Sequence, residues 1–142
     1  MNQDEYIEHR VEDQIKWYNN KASTNKLLFY ISRGLTIVGG AVIPFLAGMV
    51  SPCNSWPLTL IAVTGVIIAI VTGIAAIAKF QEKWIEYRTI SESLKHEKFL
   101  YLTMSGQYEN LDKSFQIFVE SIENYISKEN SAWSNYINRN DA

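Results

Sequence analysis

Two histidines, His9 and His96, each beside a glutamate (Glu8 and Glu97), are the side chains of this sequence best suited to metal or acid–base chemistry. They lie about 87 positions apart and no spacing motif joins them, so two solvated histidines on helix surfaces are the expectation. There is no glycine-rich phosphate loop, no His-x-x-x-His pair and no signposted Ser-His-Asp arrangement. Cys53 is the single cysteine, which excludes an intrachain disulfide and a cysteine-based metal site and leaves a packed, inert thiol as the expectation. The residues therefore predict no enzyme: no catalytic residue, no metal and no cofactor. Three hydroxyls, Thr36, Thr64 and Thr72, stand in an otherwise apolar stretch and are the candidates to line a water path. The competing use is a hydrogen bond from each threonine to a carbonyl of its own helix.

What must position those threonines is a run of about 45 residues, Gly34 to Ala78, without Asp, Glu, Lys, Arg or His. This is far more than one soluble core element tolerates. The second half, 58–78, has the length of a helix that crosses about 30 Å of hydrocarbon, and the first half, 34–50, lies at the short end of that range. Pro44 is expected to kink the first span. The loop 51–57, Ser-Pro-Cys-Asn-Ser-Trp-Pro, supplies two prolines to separate antiparallel spans and places Trp56 at belt height. Burial of this hairpin inside a soluble bundle is disfavoured, because too little apolar surface remains in 142 residues to wrap two helices that are hydrophobic all round.

The flanks are as polar as the middle is apolar, which is why a net charge of −2 and 20% charged residues look ordinary. Neither flank has the basic excess of a phosphate-tracking surface, so no nucleic-acid partner is expected. Lys21, Lys26 and Arg33 precede the first span, Lys79, Lys83 and Arg88 follow the second, and the loop carries no cation. The positive-inside rule then expects both termini in the cytoplasm. Because about 33 polar residues precede the apolar run, an uncleaved hairpin is expected.

The predicted fold is an all-α membrane protein in three segments: an N-terminal amphipathic helix within 1–33, a hairpin at 34–78, and a helical extension with a C-terminal helix at 79–142. No Gly or Pro falls between Gly73 and Gly106, so the second span is expected to continue unbroken past Lys79 and stop at Ser105-Gly106-Gln107, with Gly106 as a left-handed cap. A last helix is expected from the N-cap candidate Asp112. Trp17, Tyr18, Trp84, Tyr87, Phe115, Phe118, Ile122 and Trp133 are the expected core of the resulting three-helix cytoplasmic bundle.

Within the spans, Gly65, Ala69 and Gly73 form a small-residue stripe at four-residue spacing, and Gly40, Pro44 and Gly48 form another. Each stripe suits either contact within the hairpin or contact between subunits. The absence of an ionisable group at depth argues against a proton-coupled transporter or voltage sensor, but not against a weakly selective pore. Two helices cannot enclose a channel, so a pore requires a homo-oligomer. The alternative is a non-conducting membrane anchor or scaffold that recruits a cytoplasmic partner.

Gln14-x-x-Trp17-Tyr18 with Lys21-Ala22, Ile43-Pro44, Trp84-x-x-Tyr87-Arg88, Glu92-x-Leu94, Gly106-x-Tyr108 and Glu129-x-x-x-Trp133, in that order around a two-span hairpin, resemble the bacterial SLATT superfamily of small two-transmembrane proteins. The resemblance implies a pore-forming membrane effector of bacterial conflict systems. It also implies a nucleotide-sensing or nucleotide-synthesising partner on another chain, since no such module is recognisable here.

Overall fold

The computed structural model describes the backbone of residues 2–109 and 112–140 and the side chains of residues 2–109 and 112–128. The described residues are helical and form no strand. Asn2 starts α1, Gln3–Tyr6, as a capping box: its side chain accepts from the Gln3 N–H at 2.7 Å, while the Glu5 carboxylate accepts from the Asn2 N–H at 3.2 Å. After a π turn at Ile7–Val11 the chain continues as α2, Glu12–Ala47. No break separates an N-terminal helix from an apolar one, because Ser32, the nearest capping residue, turns its hydroxyl back to the Phe29 carbonyl at 2.9 Å. The helix also passes through Pro44 and ends at Ala47, three residues before the expected limit.

A short turn follows in which Ser51 and Asn54 exchange both backbone bonds, 3.4 and 2.9 Å, around Pro52 and the exposed Cys53. Helix α3, Trp56–Ala78, then begins with Pro57 in its first turn, where the missing N–H costs nothing. The expected unbroken exit at Lys79 does not occur. Lys79 is left-handed, with φ 49° and ψ 44°, and α4 restarts as Phe80–Leu102. Backbone bonds run from the Lys79 N–H to the Ala75 carbonyl and from the Lys83 N–H to the Lys79 carbonyl, both 3.1 Å, on either side of the break. The break has a consequence for packing. Covered positions on α3 step by four and three through Pro57, Ile61, Thr64, Ile68, Val71, Ala75 and Ala78, with Gly65 also partly covered beside Thr64, but the next ones are Phe80 and Trp84, so the left-handed residue resets the phase of the inward face.

Helix α4 ends earlier than expected. Met104, at φ 49°, is the left-handed residue, its N–H bonds the Tyr101 carbonyl at 3.1 Å, and the Ser105 N–H reaches the Leu100 carbonyl at 3.0 Å. That pair of bonds is the Schellman pattern. Gly106, at φ 64°, instead opens a 3₁₀ turn, Gly106–Tyr108. The last helix, α5, runs Ser114–Asn140, its first bond accepted by the Lys113 carbonyl from Ile117 at 3.1 Å, so Asp112 precedes the cap position.

The chain divides into two compact units, one of residues 23–84 and one of the residues up to Ala22 and from Ile85 onward. In the first, α2 presents Phe29, Ser32, Thr36, Gly39, Ile43 and Leu46 to the hairpin partner at alternating steps of three and four, matching the steps on α3. In the second, Tyr6, Val11, Tyr18, Leu94, Tyr101, Tyr108, Phe118 and Ile122 form the core. Tyr101 stacks on Phe118 with centroids 4.3 Å apart at 14°, and Tyr108 meets both rings at steep angles.

Met104 is 44% exposed, so its side chain contributes little packing to offset its backbone conformation. Met104→Gly should stabilise the fold by about 0.5–1 kcal/mol, and Met104→Val should destabilise it by a similar amount or more. Thermal unfolding of the detergent-solubilised chain followed by circular dichroism measures both.

Candidate functional site

The two apolar helices are where a site must be sought, and their geometry separates the three threonines. Thr36 donates to the Ser32 carbonyl of its own helix at 2.9 Å. Thr64 faces across the hairpin, its methyl 3.4 Å from where a Cβ on Gly39 would stand. Thr72 is exposed on the outer side of α3. Thr36 and Thr72 nevertheless meet at one feature, a cavity of about 300 Å³ at the charged base of the hairpin, which Thr64 does not line.

Neither small-residue stripe makes the close approach within the hairpin. A Cβ added to Gly40, Gly65 or Gly73 would meet nothing within 4 Å. Gly65 is half-buried, and Gly40, Pro44, Gly48, Ala69 and Gly73 are exposed. The close approach is made by Gly39, where a Cβ would stand 2.8 Å from Ile68 Cδ1. Sequence reading missed Gly39 because a four-residue stripe search selects its neighbour Gly40; the three-and-four alternation through Thr36, Gly39 and Ile43 would have found it. The outer faces are strongly apolar, with Ile77 86%, Phe45 70% and Ile37 69% exposed. Both helices are long and apolar enough to cross a membrane.

The residues expected in the bundle core divide. Tyr18, Phe118 and Ile122 are buried, and Tyr87 and Phe115 pack against them. Trp17 is 44% exposed and lies edge-on to Tyr18 and Tyr87. Trp84 is not in this core; it belongs to the hairpin unit, beside Phe29 and Tyr30 with Lys26 5.6 Å above its ring. The Trp133 side chain lies outside the described residues. Tyr6, Val11, Leu94, Tyr101 and Tyr108 complete the core instead.

Polar pairs hold the bundle helices in register. Arg10 donates to both oxygens of Glu123, Nε to Oε1 at 3.1 Å and Nη2 to Oε2 at 3.0 Å, and the Tyr6 hydroxyl donates to Oε1 at 3.1 Å. Lys98 pairs with Glu12, and the buried Ser91 hydroxyl donates to Asn19 Oδ1 at 2.9 Å. Glu97, 8% exposed, accepts from the Tyr108 hydroxyl and from Gln107 Nε2. Its neighbour His96 is exposed, as is His9, and among the described residues no three His, Cys, Asp or Glu side chains converge on a metal-sized site.

With this geometry in hand, a family model described as a protein of unknown function (DUF4231) matches residues 13–116. The chain belongs to the DUF4231 family. DUF4231 is a SLATT-type domain, and the matched stretch takes in the hairpin, α4 and the start of α5 but not the Glu129-x-x-x-Trp133 segment. Neither the curated proteins nor the solved structures hold a match to the chain.

The Tyr6–Arg10–Glu123 group makes bundle stability depend on pH at both ends. Burial first, and then the Glu123 carboxylate, push the Tyr6 phenol up to about 12, while the hydrogen bond from Arg10 holds Glu123 below the usual carboxylate range. A raised phenol contributes stability that is complete below its unfolded value near 10 and lost as pH rises through the folded value. A lowered carboxyl contributes stability that is present above its unfolded value and lost as pH falls through the folded one. Unfolding titrations of Tyr6→Phe should therefore show a shallower decline between about pH 10 and 12, the buried Tyr101 and Tyr108 phenols, also raised, keeping part of it. Arg10→Gln should weaken the acid-side decline.

Proposed function

We propose that this DUF4231 protein is a homo-oligomeric, pore-forming membrane effector. Its two apolar helices cross the inner membrane of a bacterial cell, with both termini and the three-helix bundle in the cytoplasm. The observation that carries the reading is the pair of small-residue stripes that the hairpin's own contact leaves open. Gly40, Gly65 and Gly73 have nothing within 4 Å of an added Cβ, while the hairpin's own contact is served by Gly39. In lipid there is no hydrophobic drive between helices, so close packing on small residues is what brings a second helix near. The stripes are therefore available to neighbouring subunits in a ring.

Orientation follows from Lys21, Lys26 and Arg33 before the first apolar stretch in sequence and Lys79, Lys83 and Arg88 after the second. The bundle supplies the surface through which assembly or gating is controlled, and the SLATT resemblance implies a signal that reaches it from a nucleotide-handling partner chain. Thr72, the exposed hydroxyl on the Gly65-Ala69-Gly73 side of α3, is the favoured wall residue. Thr36 and Thr64 are turned toward the hairpin itself.

Ion flux from liposomes holding the purified protein, with the oligomeric mass measured in the same preparation, tests the proposal. Gly65→Leu with Gly73→Leu should lower the oligomeric mass and abolish flux, and Thr72→Leu should change flux several-fold without lowering the mass. A defined assembly that never conducts, with or without nucleotides, would replace the pore by the scaffold.

A further inference from the structure

The cavity at the base of the hairpin has a composition that points to one kind of occupant. Arg33 and Lys79 are the charged residues that bound the apolar run in sequence, and the fold brings both to its lining. Thr36, Thr72 and Ala76, from within the apolar run, line the same space of about 300 Å³. Ala76 and Thr36 stand about one helical turn inside the charged boundary and Thr72 about two, so the cavity crosses the level at which hydrocarbon gives way to headgroups. Glu82 pairs with Lys79 at 3.2 Å from a well-exposed position, and the Arg33 guanidinium lies 5.7 Å from the Phe29 ring centroid. The charged lining residues therefore sum to one net positive charge.

A free phosphate would use only the charged mouth, and an acyl chain only the apolar interior. We infer that the cavity binds an anionic phospholipid, its phosphate between Arg33 and Lys79 and the beginning of an acyl chain against Thr36 and Ala76. Guanidinium and ammonium groups complement a phosphodiester, and an exposed i,i+3 ion pair such as Lys79–Glu82 is weak enough to yield to it. A zwitterionic headgroup would bring its own cation against the two basic side chains. The inference rests on the hairpin spanning a membrane.

The full chain in neutral detergent is titrated with phosphatidylglycerol or phosphatidylcholine, and retained lipid is counted by native mass spectrometry. Phosphatidylglycerol should be retained about tenfold better. Arg33→Gln with Lys79→Gln should bring the ratio near one, Glu82→Gln should raise it, and Lys83→Gln, a cation outside the cavity lining, should leave it unchanged. Ala76→Trp should block retention by filling the space without altering charge, which keeps the test intact if the double variant loses helix. Equal retention of the two lipids by the wild type, loss of preference in Lys83→Gln, or displacement of phosphatidylglycerol by inorganic phosphate would each overturn the site. Resistance of the liposome-reconstituted chain to alkaline carbonate separates the two readings. An embedded chain without lipid preference ends only the lipid site, whereas an extracted chain ends the membrane-spanning hairpin and the site with it.

Discussion

The contact on which the hairpin depends is the approach of α2 and α3 at Gly39, where Ile68 occupies the volume that any larger residue would claim. Around it the covered positions of both helices alternate in steps of three and four, the spacing at which two helices wind about one another with a left-handed sense. The seam is narrow. Large aliphatic side chains cover the rest of both helices and stay exposed, so the pairing uses only a fraction of the apolar surface available. Such a surface has no stable place in water, and in hydrocarbon it costs nothing. The same narrow seam leaves the outer small residues open to a further helix.

The bundle is held by different physics. Its core is built largely of rings, with the Tyr101–Phe118 stack at its centre and Tyr6 and Tyr108 set at steep angles around it. Each of these tyrosines carries a hydroxyl that must find a partner when buried, and each does: Tyr6 on Glu123, Tyr101 on Gln3 and Tyr108 on Glu97. Among the described side chains no buried polar atom is left without a bond. Polar matching of this kind fixes which residues oppose one another, because a slipped register would strand a carboxylate or a hydroxyl in the core.

The left-handed Lys79 and the exposed base of the hairpin belong to the same short stretch of chain. By resetting the inward face after Ala78, the break brings Phe80 and Trp84 inward, while Lys79 lines the cavity with Arg33. A continuous helix would have carried the phase of the α3 seam onward and given different neighbours to Arg33. A basic mouth over an apolar interior is thus a product of one left-handed residue.

Composition and periodicity alone determined much of this protein. The uncharged run from Gly34 to Ala78, the polar flanks and the helical spacing of Tyr18, Phe118 and Ile122 report burial directly, since transfer free energy and helical period are properties of the residues themselves. What tertiary structure decided were choices among residues of equal local suitability. Gly39 rather than Gly40 meets the partner helix, and Trp84 joins Phe29 and Tyr30 rather than the bundle core. In each case the competing residues have nearly the same intrinsic preference or the same apolar area. The outcome was set by which one the opposing helix could reach, and that distance exists only once both helices are in place.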